Sequence, residues 1–329
     1  MSSAPSRMSS STCVRSNGSN VDSPENRKPV RHSRGPKPRT IWALEHVRRM
    51  RGGAQSQLLM CADGKRYVVK FQNNPQGRRI LVNELLCFIL ADHLGLPTQP
   101  SRVIDLSPGL IRRSRHQMMV ETATGRASLV AGRCFGSEYA ESGIATIELQ
   151  TRLNVNEIEN VRDFWGILTF DLWTCNTDLR QVLYFKSGNR YRMRMIDNGH
   201  CFSGSKWGFV DAPGLALFWN RGVYKDVAGI ESFQPWLSRI ESIDNSILEQ
   251  AVALIPPEWY GARREAIEGL LRSLMSRRFQ VRDQLLWLRR QNPLLFPRWR
   301  VTPEPAIAWQ TADVPVLLHQ QIIALDESD

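Results

Sequence analysis

Two strand-like runs, residues 182–186 and 191–196, are joined by Ser187-Gly188-Asn189 and flanked by Asp178 and Asp197. Glycine and asparagine between short β-prone runs signal a hairpin. When the arms of an antiparallel hairpin are nearly equal, both aspartates leave at the same open end. Two carboxylates held together repel unless a cation lies between them or one takes up a proton. A divalent cation is the economical answer, and Asp197-Asn198-Gly199 sets a candidate metal ligand beside a flexible glycine. The plainer alternative is that Asp178 caps a turn and Asp197-Asn198-Gly199 is only a tight turn.

The segments around this hairpin set the fold class. Upstream, short strand-like runs at 58–60 and 67–71 are separated by Asp63-Gly64, a second hairpin signal. A polar loop, Asn73 to Gly77, leads into a helix over 79–94, with Leu81, Leu85, Phe88 and Ile89 at helical spacing and Gly95 and Pro97 as its stop. Further strand-like material follows at 101–106 and 117–121. The second half is more helical: 161–174, 260–274 and 277–290, the last two Arg-rich on their outer faces. Strands with one helix, then helices around a hairpin, predict an α+β chain with a small β-rich N-terminal lobe and a larger, mostly helical C-terminal lobe. The boundaries read as a disordered basic arm (1–39), an N-terminal lobe (40–135), a C-terminal lobe (136–296) and a C-terminal tail (297–329).

Lys70 is the one charged residue in Tyr67-Val68-Val69-Lys70-Phe71. An unpaired ammonium inside an apolar strand is costly, so it needs a partner unless it snorkels to solvent. Glu84 lies fourteen residues on, at the edge of the apolar stripe of the following helix, where its carboxylate faces the sheet. Such a Lys–Glu pair aligns an amine for nucleotide phosphates in kinases; a boundary residue at the rim of the buried face is the other reading of Glu84. Upstream, Gly52-Gly53 precedes the first strand run, and glycines let backbone N–H groups approach a phosphate. No GxxxxGK[ST] loop occurs, so this is not a Walker A site.

Composition narrows the classes. The formal net charge is +11, but residues 1–39 hold eight Lys/Arg against Asp22 and Glu25, so +6 of it lies there. A basic arm can bind polyanions by counterion release, and Ser33 to Arg39 faintly resembles an AT-hook; a solvated arm is the simpler reading. Six scattered cysteines without a CxxC pair point to reduced thiols in a cytoplasm. The longest apolar stretch, near 85–91, is far too short to span a bilayer. None of the six histidines has a ligand spacing, and His200 reads as a packing residue.

Taken in order, Gly52-Gly53, Val68-Val69-Lys70, Asn83-Glu84, Asn176-Thr177-Asp178, the hairpin and Ile196-Asp197-Asn198-Gly199 resemble the HipA-like kinases. Asn83-Glu84-Leu85, Phe135-Gly136-Ser137, Ile196 to Phe202 and Trp236 to Ile240 look like its stand-alone branch, and the Asp178 and Asp197 segments resemble phosphatidylinositol-kinase-like motifs. The likeness covers most of 45–290. It implies a bilobal protein-kinase-like fold and a cytoplasmic bacterial kinase that moves the ATP γ-phosphate to a protein Ser or Thr hydroxyl. Lys70 would hold the α/β-phosphates with Glu84 as its ion-pair partner, and Gly52 and Gly53 would cover the phosphates. Asp178 would be the catalytic base and Asp197 a Mg²⁺ ligand. A protein substrate and an antitoxin-like partner come with the resemblance.

One departure matters. Related kinases carry an asparagine several residues after the catalytic aspartate as a second metal ligand. Here Leu179-Arg180-Gln181 runs straight into the strand. Gln181 offers an amide oxygen for Mg²⁺ and Arg180 a charge to offset the phosphate, but the short loop keeps open a pseudokinase that binds ATP without turnover. A nucleic-acid-associated protein acting through the basic arm is the third reading.

Overall fold

The computed structural model describes residues 40–145, 153–210 and 217–300. The arm at 1–39 and all but the first four residues of the tail at 297–329 lie outside the described residues.

The first half is built on a closed barrel. Strands β1 (Thr40–Arg49), β2 (Gln57–Cys61) and β3 (Arg66–Lys70) run antiparallel in sequence. Helix α1 (Arg79–His93) follows, then β4 (Ser101–Leu106), the short helix α2 (Pro108–Arg113) and a separate hairpin, β5 (Met119–Thr122) and β6 (Gly125–Ser128). Strand β7 (Gly132–Glu138) inserts between β3 and β4, giving the order β1-β2-β3-β7-β4, and β4 closes on β1 in parallel. The turn between β2 and β3 carries Gly64 at φ +76, a conformation open to glycine.

Sequence pattern does not announce β1 and β7 as strands, for different reasons. β1 leaves Trp42, Leu44 and Val47 exposed, so apolar residues do not mark its buried face. β7 contains Gly132 and Gly136, which weaken a strand pattern. A Cβ at Gly136 would lie 2.4 Å from Ile104 Cγ1, so the gap in the pattern is what lets β7 pack there.

The second half is helical around one small sheet. Strand β8 (Gly143–Ala145) pairs with β9 (Gln181–Ser187), which pairs with β10 (Arg190–Ile196). Helix α3 (Asp163–Thr174) precedes β9, and α4 (Trp236–Glu241), α5 (Asn245–Ala253), α6 (Arg264–Arg277) and α7 (Val281–Gln291) follow. Mixed helix and strand content of this kind fits a kinase-like α+β fold.

Among the described residues, two apolar clusters form the core. The smaller, with Leu59, Val69, Ile104 and Cys134, belongs to the barrel and its short appendages. The larger joins α1 and α3 to the helices that follow the hairpin. The sequence suggests one apolar face for α1 and α3, but both are buried nearly all round. Val82, Leu86 and Leu90 fill the other side of α1, and a helix apolar on every side belongs in an interior. The hydroxyls of Thr169 and Thr174 in α3 donate to carbonyls four residues back, at 2.7 and 2.8 Å, so their burial leaves no donor unmet. Among the described residues, no helix is long and apolar enough to cross a membrane.

Candidate functional site

Lys70 ends β3 with its side chain turned toward α1. Its Nζ donates to Glu84 Oε1 at 2.5 Å and to Asp197 Oδ1 at 2.7 Å. Exposure rises through the three side chains in the order Glu84 (3%), Lys70 (12%) and Asp197 (32%), so Asp197 is the member that opens to solvent. Burial disfavours the Lys70 ammonium, but the carboxylates of Asp197 and Glu84 outweigh it and raise its pKa. The Lys70 charge holds Asp197 down at about 2, against the cost of burial. Burial pushes Glu84 upward, with Lys70 and a hydrogen bond from the Asn198 N–H (3.0 Å) pulling against it.

These groups face a cleft of about 380 Å³. Polar groups in its lining include Gly52, Gly53, Lys70, Glu84, Gln181 and Asp197, and apolar ones Val68, Phe135, Leu183 and Met195. A ligand with a flat apolar part and an anionic part suits a cavity lined in this way.

The hairpin register pairs Gln181 with Ile196, so the chain entering β9 and the chain leaving β10 emerge at one end. Asp178 lies on the entering segment and Asp197 on the leaving one. The two segments are stapled together. Thr177 donates its backbone N–H and its Oγ1–H to His200 O, both at 3.1 Å, and Phe202 N donates to Thr174 O at 2.6 Å. Asp178 is half-buried; its Oδ1 accepts from the Leu179 N–H (2.8 Å) and its N–H donates to Asn176 Oδ1 (3.1 Å). Unlike Asp197, it does not line the cleft. Gln181 does, and its Nε2 donates to Asp197 Oδ2 at 3.1 Å.

Arg180 corrects the sequence reading. Its side chain is fully buried, with Nε donating to Asp171 Oδ2 at 3.0 Å, Nη2 to Asp171 Oδ1, and Nη1 to Ile196 O and Asn198 Oδ1, each at 2.9 Å. Burial opposes its charge, but Asp171 more than restores it and raises the pKa. An arginine so enclosed cannot offset charge on a phosphate in the cleft. It is a positioning residue, tying α3 to both ends of the hairpin. Asn198, which also lines the cleft, accepts one of these bonds at Oδ1.

Sequence reasoning missed Asp171, a polar position in an apolar helix whose sole signal is that burial demands a partner. It also missed what Asn83 does. Asn83 is buried in α1 and its Nδ2 donates to Gly199 O (2.7 Å) and Cys201 O (2.9 Å), holding the post-Asp197 segment against the helix. Gly199 permits this approach, since a Cβ there would lie 2.9 Å from Ile80 Cγ2.

The order of these elements and the Lys70–Glu84–Asp197 cluster agree with a match to the family model of the HipA-like kinases, which spans residues 44–287. The chain belongs to the HipA-like kinase family. No curated protein gives a significant sequence match. Among solved structures, this HipA-like kinase is similar to hydra Fam20 with sugar, at 12% identity over 77% of this chain and 87% of that one, with a TM-score of 0.47. It is also similar to the Helicobacter pylori proinflammatory kinase CtkA, at 12% identity, 73% and 95% coverage and a TM-score of 0.42. A third is the Golgi casein kinase with Mn/ADP bound, at 12% identity, 77% and 73% coverage and a TM-score of 0.44.

Among the described residues, no group of three or more His, Cys, Asp or Glu side chains gathers as a metal cage. Mg²⁺ does not need one. It is held by one or two carboxylates together with water and substrate phosphates. Asp197, ionised and opening to the cleft, is a donor of that kind.

Proposed function

We propose that this chain is an ATP- and Mg²⁺-dependent kinase that phosphorylates a protein Ser or Thr hydroxyl. The observation that carries the reading is Lys70 Nζ, bonded to both Glu84 and Asp197 in a cleft that also presents Val68, Phe135, Leu183 and Met195. In this reading the barrel and the helical body are the small and large lobes of a bilobal kinase. The base lies against Val68, Leu183 and Met195, and the phosphates extend toward Lys70 and the Gly52-Gly53 loop.

Mg²⁺ would be held by Asp197, with the Gln181 amide oxygen as a second donor after a turn of its carboxamide, and would neutralise charge on the phosphates. Glu84 keeps the Lys70 ammonium in place and charged. Asp178 accepts the proton of the attacking hydroxyl, held in position by the Thr177–His200 staple and by Asn176. The protein acceptor and an antitoxin-like partner rest on the family resemblance. A cytoplasm fits this reading, supported by the buried thiols of Cys61, Cys87, Cys134 and Cys201; the bacterial source rests on the family resemblance.

The pseudokinase remains as a second reading because one observation favours it. The segment 179–181 offers Gln181 alone as an added metal ligand, since Leu179 is apolar and the Arg180 guanidinium has no lone pair to give a cation. Labelled ATP with Mg²⁺ and a mixture of candidate protein acceptors separates the two. Label on Ser or Thr with the wild type, lost in Asp178→Asn and Asp197→Asn, is the expected result. ATP binding with no label in any acceptor, the protein itself included, sinks the kinase reading and leaves the pseudokinase.

A further inference from the structure

Gln76 lines the cleft and has no role in the chemistry above. It is presented by a built turn. Asn74 is buried, its Nδ2 donates to Phe71 O (2.7 Å) and Gly77 O (3.0 Å), and its Oδ1 accepts from the Gln76 N–H (3.0 Å). The backbone at Gln76 is therefore fixed just before α1 begins.

Its side chain is fixed as well. Gln76 Nε2 lies 3.2 Å from His200 Nε2. A carboxamide nitrogen cannot accept a hydrogen bond, so in this orientation Nε2 of the neutral imidazole is the acceptor and Nδ1 carries the hydrogen. The backbone carbonyl of the same His200 receives both bonds from Thr177, beside Asp178. From the other side the glycine loop closes onto the amide: a Cβ at Gly53 would come within 3.0 Å of Gln76 Nε2. Gln76 thus lines the cleft and bridges the glycine loop and the segment stapled to Asp178.

A primary amide has two N–H donors, and His200 engages one of them. We infer that Gln76, aimed by His200, donates its second N–H to the terminal phosphate of the bound nucleotide and so selects a triphosphate over a diphosphate. The inference rests on the nucleotide reading above and deepens it. Gln76 is the contact residue. His200 acts through it and is a positioning residue.

The test is calorimetric binding of ATP and of ADP, each with Mg²⁺, to the full chain. Gln76→Ala should weaken ATP about tenfold, the loss of one hydrogen bond to a charged group, and leave ADP within about twofold. His200→Ala should show a smaller loss of the same selective kind. The double variant should be no worse than Gln76→Ala, because His200 has nothing left to aim. Unchanged ADP binding also reports that each variant is folded. Equal weakening of ATP and ADP, no weakening of ATP, or additive losses in the double variant would overturn the assignment. A wild type that binds neither nucleotide would instead overturn the reading on which it rests.

Discussion

Lys70 is held by two carboxylates of different character. Glu84, almost fully enclosed, is bonded to Lys70 and to a backbone N–H; Asp197 is more open and faces the cleft. Asp197 also sits at φ 58, in the left-handed region that a non-glycine residue adopts at some cost. Its pKa of about 2 in the folded chain lies below the unfolded value of about 3.9. A depressed acid contributes stability that is complete above its unfolded pKa and is lost as pH falls through the folded one. The wild type should therefore lose stability between about pH 4 and pH 2 through this residue, and Asp197→Asn should flatten that part of the profile. Urea midpoints across this range measure it, and identical slopes for the two proteins would contradict the assigned Lys70–Asp197 interaction. Arg180 and Asp171 show the other use of a buried pair. There both charges are hidden, and the gain is position rather than chemistry.

Helix α3 is the element on which the rest depends. It ends at Cys175, in the left-handed conformation at φ 50, and the chain turns there into Asn176-Thr177-Asp178. Arg277 of α6, itself buried, donates to Leu172 O and Trp173 O at that end (2.5 and 3.0 Å), adding a side-chain donor to carbonyls of the last turn. The sequence reads Arg277 as the start of an Arg-rich helix over 277–290; in the structure it ends α6 and points inward, because the end of α3 supplies its acceptors. On its other side α3 packs Gly166 against Trp236 of α4, where a Cβ would lie 2.4 Å from the ring atoms Cδ2 and Cε2. Helix propensity alone favours alanine over glycine by about 1 kcal/mol. Overpacking a tight core costs about 1–3 kcal/mol, so Gly166→Ala should destabilise the protein despite the better helix former. Chemical denaturation should show the loss, with partial recovery when Trp236→Leu is added. A stabilised Gly166→Ala would mean that the α3–α4 contact yields more readily than its geometry implies.

At the scale of the whole molecule, the cleft draws on distant parts of the chain: the glycine loop, β3, α1, the hairpin and the segment after it. A ligand that binds only when these are assembled stabilises the folded state by mass action. Mg²⁺-ATP at a hundred times its dissociation constant should add about 2.7 kcal/mol and raise the melting temperature by several degrees. Lys70→Ala and Asp197→Asn should show little or none of this rise, and EDTA should remove the share that depends on metal. A wild type whose melting is indifferent to Mg²⁺-ATP would remove the basis for a nucleotide site.

The hairpin with an aspartate at each end was legible in the chain because turn chemistry and strand alternation are local. So was the α+β order, because helices and strands differ in the spacing of their apolar residues. Lys70 and Glu84 could be marked as residues needing a partner, since burying a charge is costly wherever it occurs. The sequence could not say that Lys70 meets Asp197, 127 positions away, or that Arg180 turns inward to Asp171. Nor could it separate β1 and β7 from loops, because β1 exposes its large apolar residues and β7, broken by glycines, pairs with strands remote in sequence. Which partner a charge finds depends on which surfaces pack together. Only the tertiary structure decided that Asp197 opens to the cleft beside Lys70 while Arg180, next to Gln181 in sequence, is sealed in the core.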